Sequence, residues 1–316
     1  MTPASGVALG VYEKALPPIS DWDAFFADVA RTGFTFTDLS IDESDERSRR
    51  LTWSALHREG VRTSAARAGV GIGGLCLSLH RRVMPGSVDA GIRARAAEVF
   101  RRGIDLAADL GAAVVQVAGY YAHYEPADPG ARRRYLDTLA AAVPHAARAG
   151  VVLGIENVDG HDVRTIGDAV QIVDEIGSPW LQVYPDIGNV AEHGGDVTAE
   201  LASARGRILA LHVKDARPGE PRRVPFGAGD ADFDAAFAEL ARQRWAGRVL
   251  IEMWNDPADA RELCVAARAF VTERLARAGI AVVGDGPGAR IAIDTTASVD
   301  QSRSGDAARR EKEKTP

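Results

Sequence analysis

The chain has 316 residues, 46% of them hydrophobic, a formal net charge of −6 and only two cysteines. That balance excludes a nucleic-acid partner, whose phosphates the net charge would repel, and Cys76 and Cys264 read as reduced core residues, not a disulfide framework. No apolar stretch approaches the roughly 20 residues of a membrane span, and no signal-peptide pattern opens the chain, so a soluble cytoplasmic protein is the expectation.

Taken in order, apolar runs of strand length fall at 7–12, 34–41, 71–79, 112–119, 151–156, 181–186, 208–213 and 248–253. Segments of helical periodicity lie between and after them, at 22–32, 52–68, 90–110, 130–149, 165–176, 196–204, 232–243 and 257–278. Continuous apolar runs suit parallel strands buried on both faces. Gly33, Gly69, Gly111, Gly150 and Gly177 stand where helices should stop, since glycine takes the left-handed cap conformation at little cost. Eight strand–helix units in about 275 residues predict a single (β/α)8 TIM barrel over 1–280. A doubly wound sheet is the rival, but it seldom carries eight such regular units. The remainder, 281–316, is rich in Gly, Asp, Ser and Ala and reads as a disordered tail.

Four runs end on a metal-ligating side chain: Glu156 in VVLGIEN, Asp186 in LQVYPDIGN, His212 in ILALHVKD and Glu252 in VLIEMW. Their separations of 30, 26 and 40 residues are each one strand–helix–strand step. Strands five to eight would therefore present them together at the C-terminal mouth, where barrel active sites lie. Three carboxylates and an imidazole suit Mn²⁺, Mg²⁺, Co²⁺ or Zn²⁺. One acid at a strand end is ordinarily a helix cap or an ion-pair partner; four at the same end of successive strands predict a divalent-metal site.

Other polar residues at strand ends line the same mouth: Glu13 and Lys14, Asp42 and Glu43, His80, Arg81 and Arg82, then Gln116 with Tyr120 beyond it. His80, Arg81 and Arg82 could hold a phosphate, because the arginine fork matches its oxygens; a solvated basic loop is the plain alternative. Lys214 and the glycines of PFGAGD (225–230) follow strand seven, a common phosphate region of barrels, although the loop could equally just turn the chain. Gly69 to Gly74 fits G-x-G-x-x-G but enters a strand instead of leaving one, so it is no dinucleotide site. His57, His145 and His161 read as surface or packing residues, while His123 and His193 lie in loops near the mouth.

Several longer stretches carry a resemblance: LGVYEKALP (9–17), SIDESDERSRRLTWS (40–54), CLSLHRRVMPGS (76–87), QVAGYYAHYE (116–125), YPDIGN (184–189), HVKDARPG (212–219), VPFGAGDADF (224–233) and LIEMWND (250–256). From about residue 7 to 279 the chain resembles the L-ribulose-5-phosphate 3-epimerases, within the xylose-isomerase-like barrels of sugar-phosphate isomerases and epimerases. It departs from them at Leu79, at Val83 and over NVDGHDVRT (157–165).

The resemblance implies a metal-dependent isomerase interconverting L-xylulose 5-phosphate and L-ribulose 5-phosphate. Glu156, Asp186, His212 and Glu252 would hold the ion. Glu156 and Glu252 would double as the acid–base pair, one removing the C3 proton and the other reprotonating the enediolate. Lys14, Glu43, His80, Arg81, Arg82, Gln116 and Lys214 are the candidate substrate contacts. The partner is a small ketose phosphate, with no nucleic acid and no membrane; barrels of this kind often pair, which leaves a homodimer open. A hexulose-phosphate aldose–ketose isomerase, a free-ketose 3-epimerase and a non-enzymatic sugar-phosphate-binding barrel are the alternatives.

Overall fold

The computed structural model describes residues 6–283. The elements run β1 (Gly6–Tyr12), α1 (Trp22–Arg31), β2 (Phe36–Ser40), α2 (Asp45–Ser48), α3 (Ala55–Ala68), β3 (Gly71–Leu77), α4 (Ala90–Leu110), β4 (Val114–Ala118), α5 (Ala131–Ala149) and β5 (Val152–Glu156). Then follow α6 (Ile166–Ile176), β6 (Leu181–Val183), α7 (Ile187–Glu192), α8 (Val197–Ser203), β7 (Leu211–Val213), β8 (Asp215–Arg217), β9 (Glu220–Val224), α9 (Phe233–Gln243), β10 (Gly247–Ile251), α10 (Ala260–Arg277) and β11 (Ala281–Val282).

The parallel sheet runs β6-β5-β4-β3-β2-β1-β10-β7. The bridges Val183–Ile208 and Asp186–His212 join its two ends, so eight strands close into the expected barrel. All eight strands and the eight long helices lie where the apolar periodicity put them.

Helix termini explain the boundaries. Asp21, Ser54, Asp89, Asp196 and Asp232 accept backbone N–H groups at the starts of α1, α3, α4, α8 and α9. Thr165 and Asp168 form a capping box on α6. Gly111, at φ 75°, shows the left-handed stop that ends α4 and returns the chain to the sheet.

Two-residue alternation divides the core. Leu153, Ile155, Leu211, Val213, Val249 and Ile251 point outward into the large apolar layer beneath the helices. Tyr12, Phe36, Cys76 and Leu250 fill the barrel interior from the opposite faces of their strands. Gly10 makes room there: a Cβ would lie 2.2 Å from the Phe36 ring. The same alternation turns Glu156 and His212 inward. Cys76 and Cys264 are both buried and free.

Three features were not foreseen. The polar, proline-containing stretch after β7 folds as the antiparallel hairpin β8–β9. The short α7 starts directly at Asp186. Ala281 and Val282, at the head of the expected tail, pair with Gly6 and Val7 of β1; residues 284–316 lie outside the described residues. No helix among the described residues is long and apolar enough to cross a membrane.

Candidate metal centre and barrel mouth

Glu156, Asp186, His212 and Glu252 are buried and offer ligand atoms that all lie within 4.8 Å of one another. An ion about 2.0–2.3 Å from each of four donors requires about that spread. His212 Nδ1 lies 2.7 Å from Glu156 Oε1 and 4.0 Å from Glu252 Oε2. Its Nε2 is buried with no hydrogen-bond partner. The ring is held by packing on Tyr184, with centroids 4.5 Å apart, and the Tyr184 hydroxyl donates to Asp38 Oδ2 at 3.3 Å. The donor set and its spacing fit a divalent ion.

Asp186 serves two purposes. Its Oδ1 caps α7, accepting Gly188 N at 2.8 Å and Asn189 N at 3.2 Å. Its Oδ2 turns to the site, accepting Asn189 Nδ2 at 2.8 Å and lying 2.7 Å from Lys214 Nζ. Asn157 pins the backbone on both sides of Asp186, donating to its carbonyl at 3.0 Å and accepting its N–H at 2.8 Å. Asn189 Nδ2 also bonds Asn157 O at 2.8 Å. Sequence reasoning passed over Asn157 and Asn189; their places one residue after Glu156 and three after Asp186 were the available signal.

The electrostatics follow from burial and crowding. Burial raises the Glu156 carboxyl, the Glu252 and Asp186 charges push the same way, and His212 opposes them. Burial also raises Asp186, against the pull of Lys214. For Glu252 burial works upward, but Lys214, His212 and Arg222 outweigh it and hold the group below its ordinary value. Burial would lower His212, yet the surrounding carboxylates, Glu156 foremost, carry it to about 9. The ammonium of Lys214, 3.3 Å from Glu252 Oε2, is held charged by Asp186, Glu252 and Glu156 against its burial.

Of the predicted substrate contacts, Gln116 and Lys214 join this centre: Gln116 Nε2 donates to Glu156 Oε2. Lys14 pairs with Asp42 at 2.6 Å. Glu43 accepts the Tyr124 hydroxyl at 3.2 Å on the outer rim. Arg81 reaches Tyr120, its Nη2 3.0 Å from the hydroxyl and its guanidinium 4.9 Å from the ring centre.

The structure corrects several readings. His80 is fully buried away from the mouth, its Nε2 3.2 Å from Ala96 O and its ring 4.1 Å from Phe100. Desolvation lowers it to about 4. A side chain so enclosed under α4 cannot contact a substrate. Arg82 is exposed and has no ion-pair partner among the described residues. Glu13 is buried behind β1 and bound by Arg50 and Arg47, not at the mouth. The PFGAGD glycines do not face outward for phosphate either. Asp215 takes the N–H groups of Gly227 and Gly229 at 2.8 and 2.9 Å, so the loop's donors are spent on the protein itself.

Tyr120 lies at the mouth as expected, and Asp159, Arg222 and Trp254, which were not foreseen, complete it. Tyr120 donates to Asp159 Oδ1. Asp159 Oδ2 pairs at 2.6 Å with Arg222 of the hairpin, whose guanidinium lies 5.5 Å from the Trp254 ring centre. Among the histidines, His57 packs on Trp53, His145 pairs with Asp105, His123 packs on Tyr120 and His193 Nε2 meets Val158 O.

A family model described as a xylose isomerase-like TIM barrel matches residues 26–274. The L-ribulose-5-phosphate 3-epimerase UlaE of Escherichia coli O157:H7 is 40% identical over 275 residues, covering 87% of this chain and 97% of that protein. The protein of the same name from Shigella sonnei (strain Ss046) is 40% identical over 274 residues, covering 86% and 96%. Among solved structures, an L-ribulose 3-epimerase superposes with TM-score 0.72 at 22% identity, covering 86% of this chain and 95% of its own. A D-psicose 3-epimerase determined in the presence of D-fructose gives 0.73 at 19%, covering 85% and 99%. At those identities the structures speak for the fold.

Proposed function

The chain belongs to the xylose isomerase-like TIM barrel family, and from that membership we propose that it is a metal-dependent 3-epimerase interconverting L-ribulose 5-phosphate and L-xylulose 5-phosphate. The observation that carries the reading is the buried set of Glu156, Asp186, His212 and Glu252, in a chain that matches L-ribulose-5-phosphate 3-epimerases over nearly their full length. Mn²⁺, Mg²⁺, Co²⁺ or Zn²⁺ held by these four side chains would supply Lewis acidity to the ketose oxygens, worth several kcal/mol against the charge left when C3 loses its proton.

Inversion at C3 needs a base on one face and an acid on the other. Glu156 and Glu252 end strands on either side of β6 and β7, and in this scheme each acts on its own face of the substrate. One takes the proton from C3 as a carboxylate; the other, protonated, returns one to the opposite face. Reversal of the reaction exchanges their roles. Their environments bias them apart in the metal-free centre, with Glu156 raised and Glu252 held down by Lys214 and His212, the pattern that separates an acid from a base. Gln116 orients Glu156, while Asn157 and Asn189 fix Asp186.

The test is to incubate the metal-loaded protein with L-xylulose 5-phosphate in D₂O and identify product and label by NMR. The reading expects L-ribulose 5-phosphate with deuterium at C3. Label at C1 would replace it with an aldose–ketose isomerase. Near-full turnover by metal-loaded Glu156→Gln or Glu252→Gln would sink the two-base scheme.

A further inference from the structure

Resting on the metal-site reading above, we infer that Asp38, a carboxylate inside the barrel that the epimerase scheme does not use, is a positioning residue that orients His212 through Tyr184. Asp38 lies on the inward face of β2, between Phe36 and Ser40, and is 2% exposed. Its Oδ2 accepts the Tyr184 hydroxyl at 3.3 Å. The Tyr184 ring in turn packs on the His212 imidazole, with centroids 4.5 Å apart and planes inclined at 60°. One line of contacts thus runs from β2, through the residue after β6, to the metal-ligating side chain of β7.

A carboxylate in that place is destabilising by itself. Burying it costs free energy unless hydrogen bonds replace the lost water, and Asp38 Oδ1 has no hydrogen-bond partner among the described residues. Arg248 of β10 favours the charge from beyond ion-pair distance, its own Nη1 being spent on Gly73 O at 2.6 Å. An apolar side chain would pack there at lower cost. Yet the neighbouring strands are cut back to admit the pair. A Cβ on Gly73 would lie 2.6 Å from Asp38 Oδ1, one on Gly74 2.9 Å from Oδ2, and one on Gly154 3.0 Å from Tyr184 Cβ.

His212 explains the arrangement. Its Nδ1 sits among the carboxylates, 2.7 Å from Glu156 Oε1, and its Nε2 is buried with no partner among the described residues. A metal-bound imidazole ordinarily donates its second N–H to a carboxylate or carbonyl, which fixes the rotation of the ring. In His212 no such bond does so, and the Tyr184 ring takes over that task. A phenol ring held by packing alone can tilt; one whose hydroxyl is anchored on Asp38 must break that bond first. Asp38 therefore supplies, one residue removed, the orientation that an outer carboxylate usually gives directly.

Calorimetry of Mn²⁺ binding to four variants tests this. Tyr184→Phe keeps the ring and loses the anchor, and should weaken Mn²⁺ binding about tenfold. Asp38→Leu should weaken it equally. Asp38→Asn still offers the hydroxyl an acceptor and should stay within about twofold of wild type. Tyr184→Phe combined with Asp38→Leu should lose no more than either alone, because Asp38 acts only through the hydroxyl. That double variant replaces a buried polar pair with apolar groups, so its Tm should match or exceed wild type while its Mn²⁺ affinity stays about tenfold down; a purely structural pair would move both together. The visible spectrum of bound Co²⁺, which reports the ligand geometry, should shift in Tyr184→Phe and not in Asp38→Asn. Unchanged Mn²⁺ affinity in Tyr184→Phe, a loss of about a hundredfold in the double variant, or Asp38→Asn as weak as Asp38→Leu would overturn the proposal. None of these readouts needs turnover, so a chain that binds Mn²⁺ with this pattern but epimerises no ketose refutes the function above and not the role of Asp38.

Discussion

Metal binding at neutral pH should expel a proton from His212. The metal-free centre holds three carboxylates beside Lys214, and they carry the His212 pKa to about 9. At pH 7 the imidazole is therefore protonated, and a protonated imidazole cannot ligate a metal. Loading the ion must remove that proton. With His212 neutral, the ion's two charges and the Lys214 ammonium balance the three carboxylates, which is the low-cost state for a buried site. With that pKa only about 1% of the imidazole is unprotonated at pH 7 against about half at pH 9, so affinity at pH 7 should be roughly 50-fold, or about 2.3 kcal/mol, below its value at pH 9.

The sign is fixed: affinity rises with pH up to about 9. At lower pH the fall should steepen as Glu156 and Asp186, both raised above the ordinary carboxylate range by burial, take up protons too. Calorimetry of Mn²⁺ binding at pH 7, in buffers of different ionisation enthalpy, should report close to one proton released per ion. His212→Gln should abolish that release. No proton released at pH 7, or an affinity flat between pH 7 and 9, would refute the reasoning.

The ion pair behind the mouth should matter for stability. Arg50 is buried between the Trp22 and Trp53 rings and donates to Glu13 and to Ser40 O. Arg50→Ala leaves Glu13 buried with less compensation and should cost about 3–5 kcal/mol, lowering Tm by roughly 10 °C; a thermal melt within 2 °C of wild type would contradict this. Asn189→Ala frees Asp186 Oδ2 from one of its bonds. It should weaken metal binding by about tenfold while metal-bound turnover stays close to wild type. An unchanged dissociation constant would show that the capped α7 alone fixes Asp186.

The barrel and its metal centre were legible in the sequence because both rest on short-range rules. Strand and helix periods place the elements, and a residue at the end of a parallel strand must emerge at the mouth. Glu156, Asp186, His212 and Glu252 each stand at such an end, so strand counting alone brought them together. Side chains in short turns and insertions obey no such phase. His80 and Arg81 are neighbours in one turn of 3₁₀ helix, whose side chains leave about 120° apart; packing of Phe100 against His80 sends one inward and leaves the other at the mouth. Asp215 claims the glycine loop through bonds spanning 12 and 14 residues. Arg222 meets Asp159 from 63 residues away, across a hairpin that reads as polar loop. The sequence thus determined which chemistry the centre performs. Which cations surround it was decided only where distant loops close over the barrel.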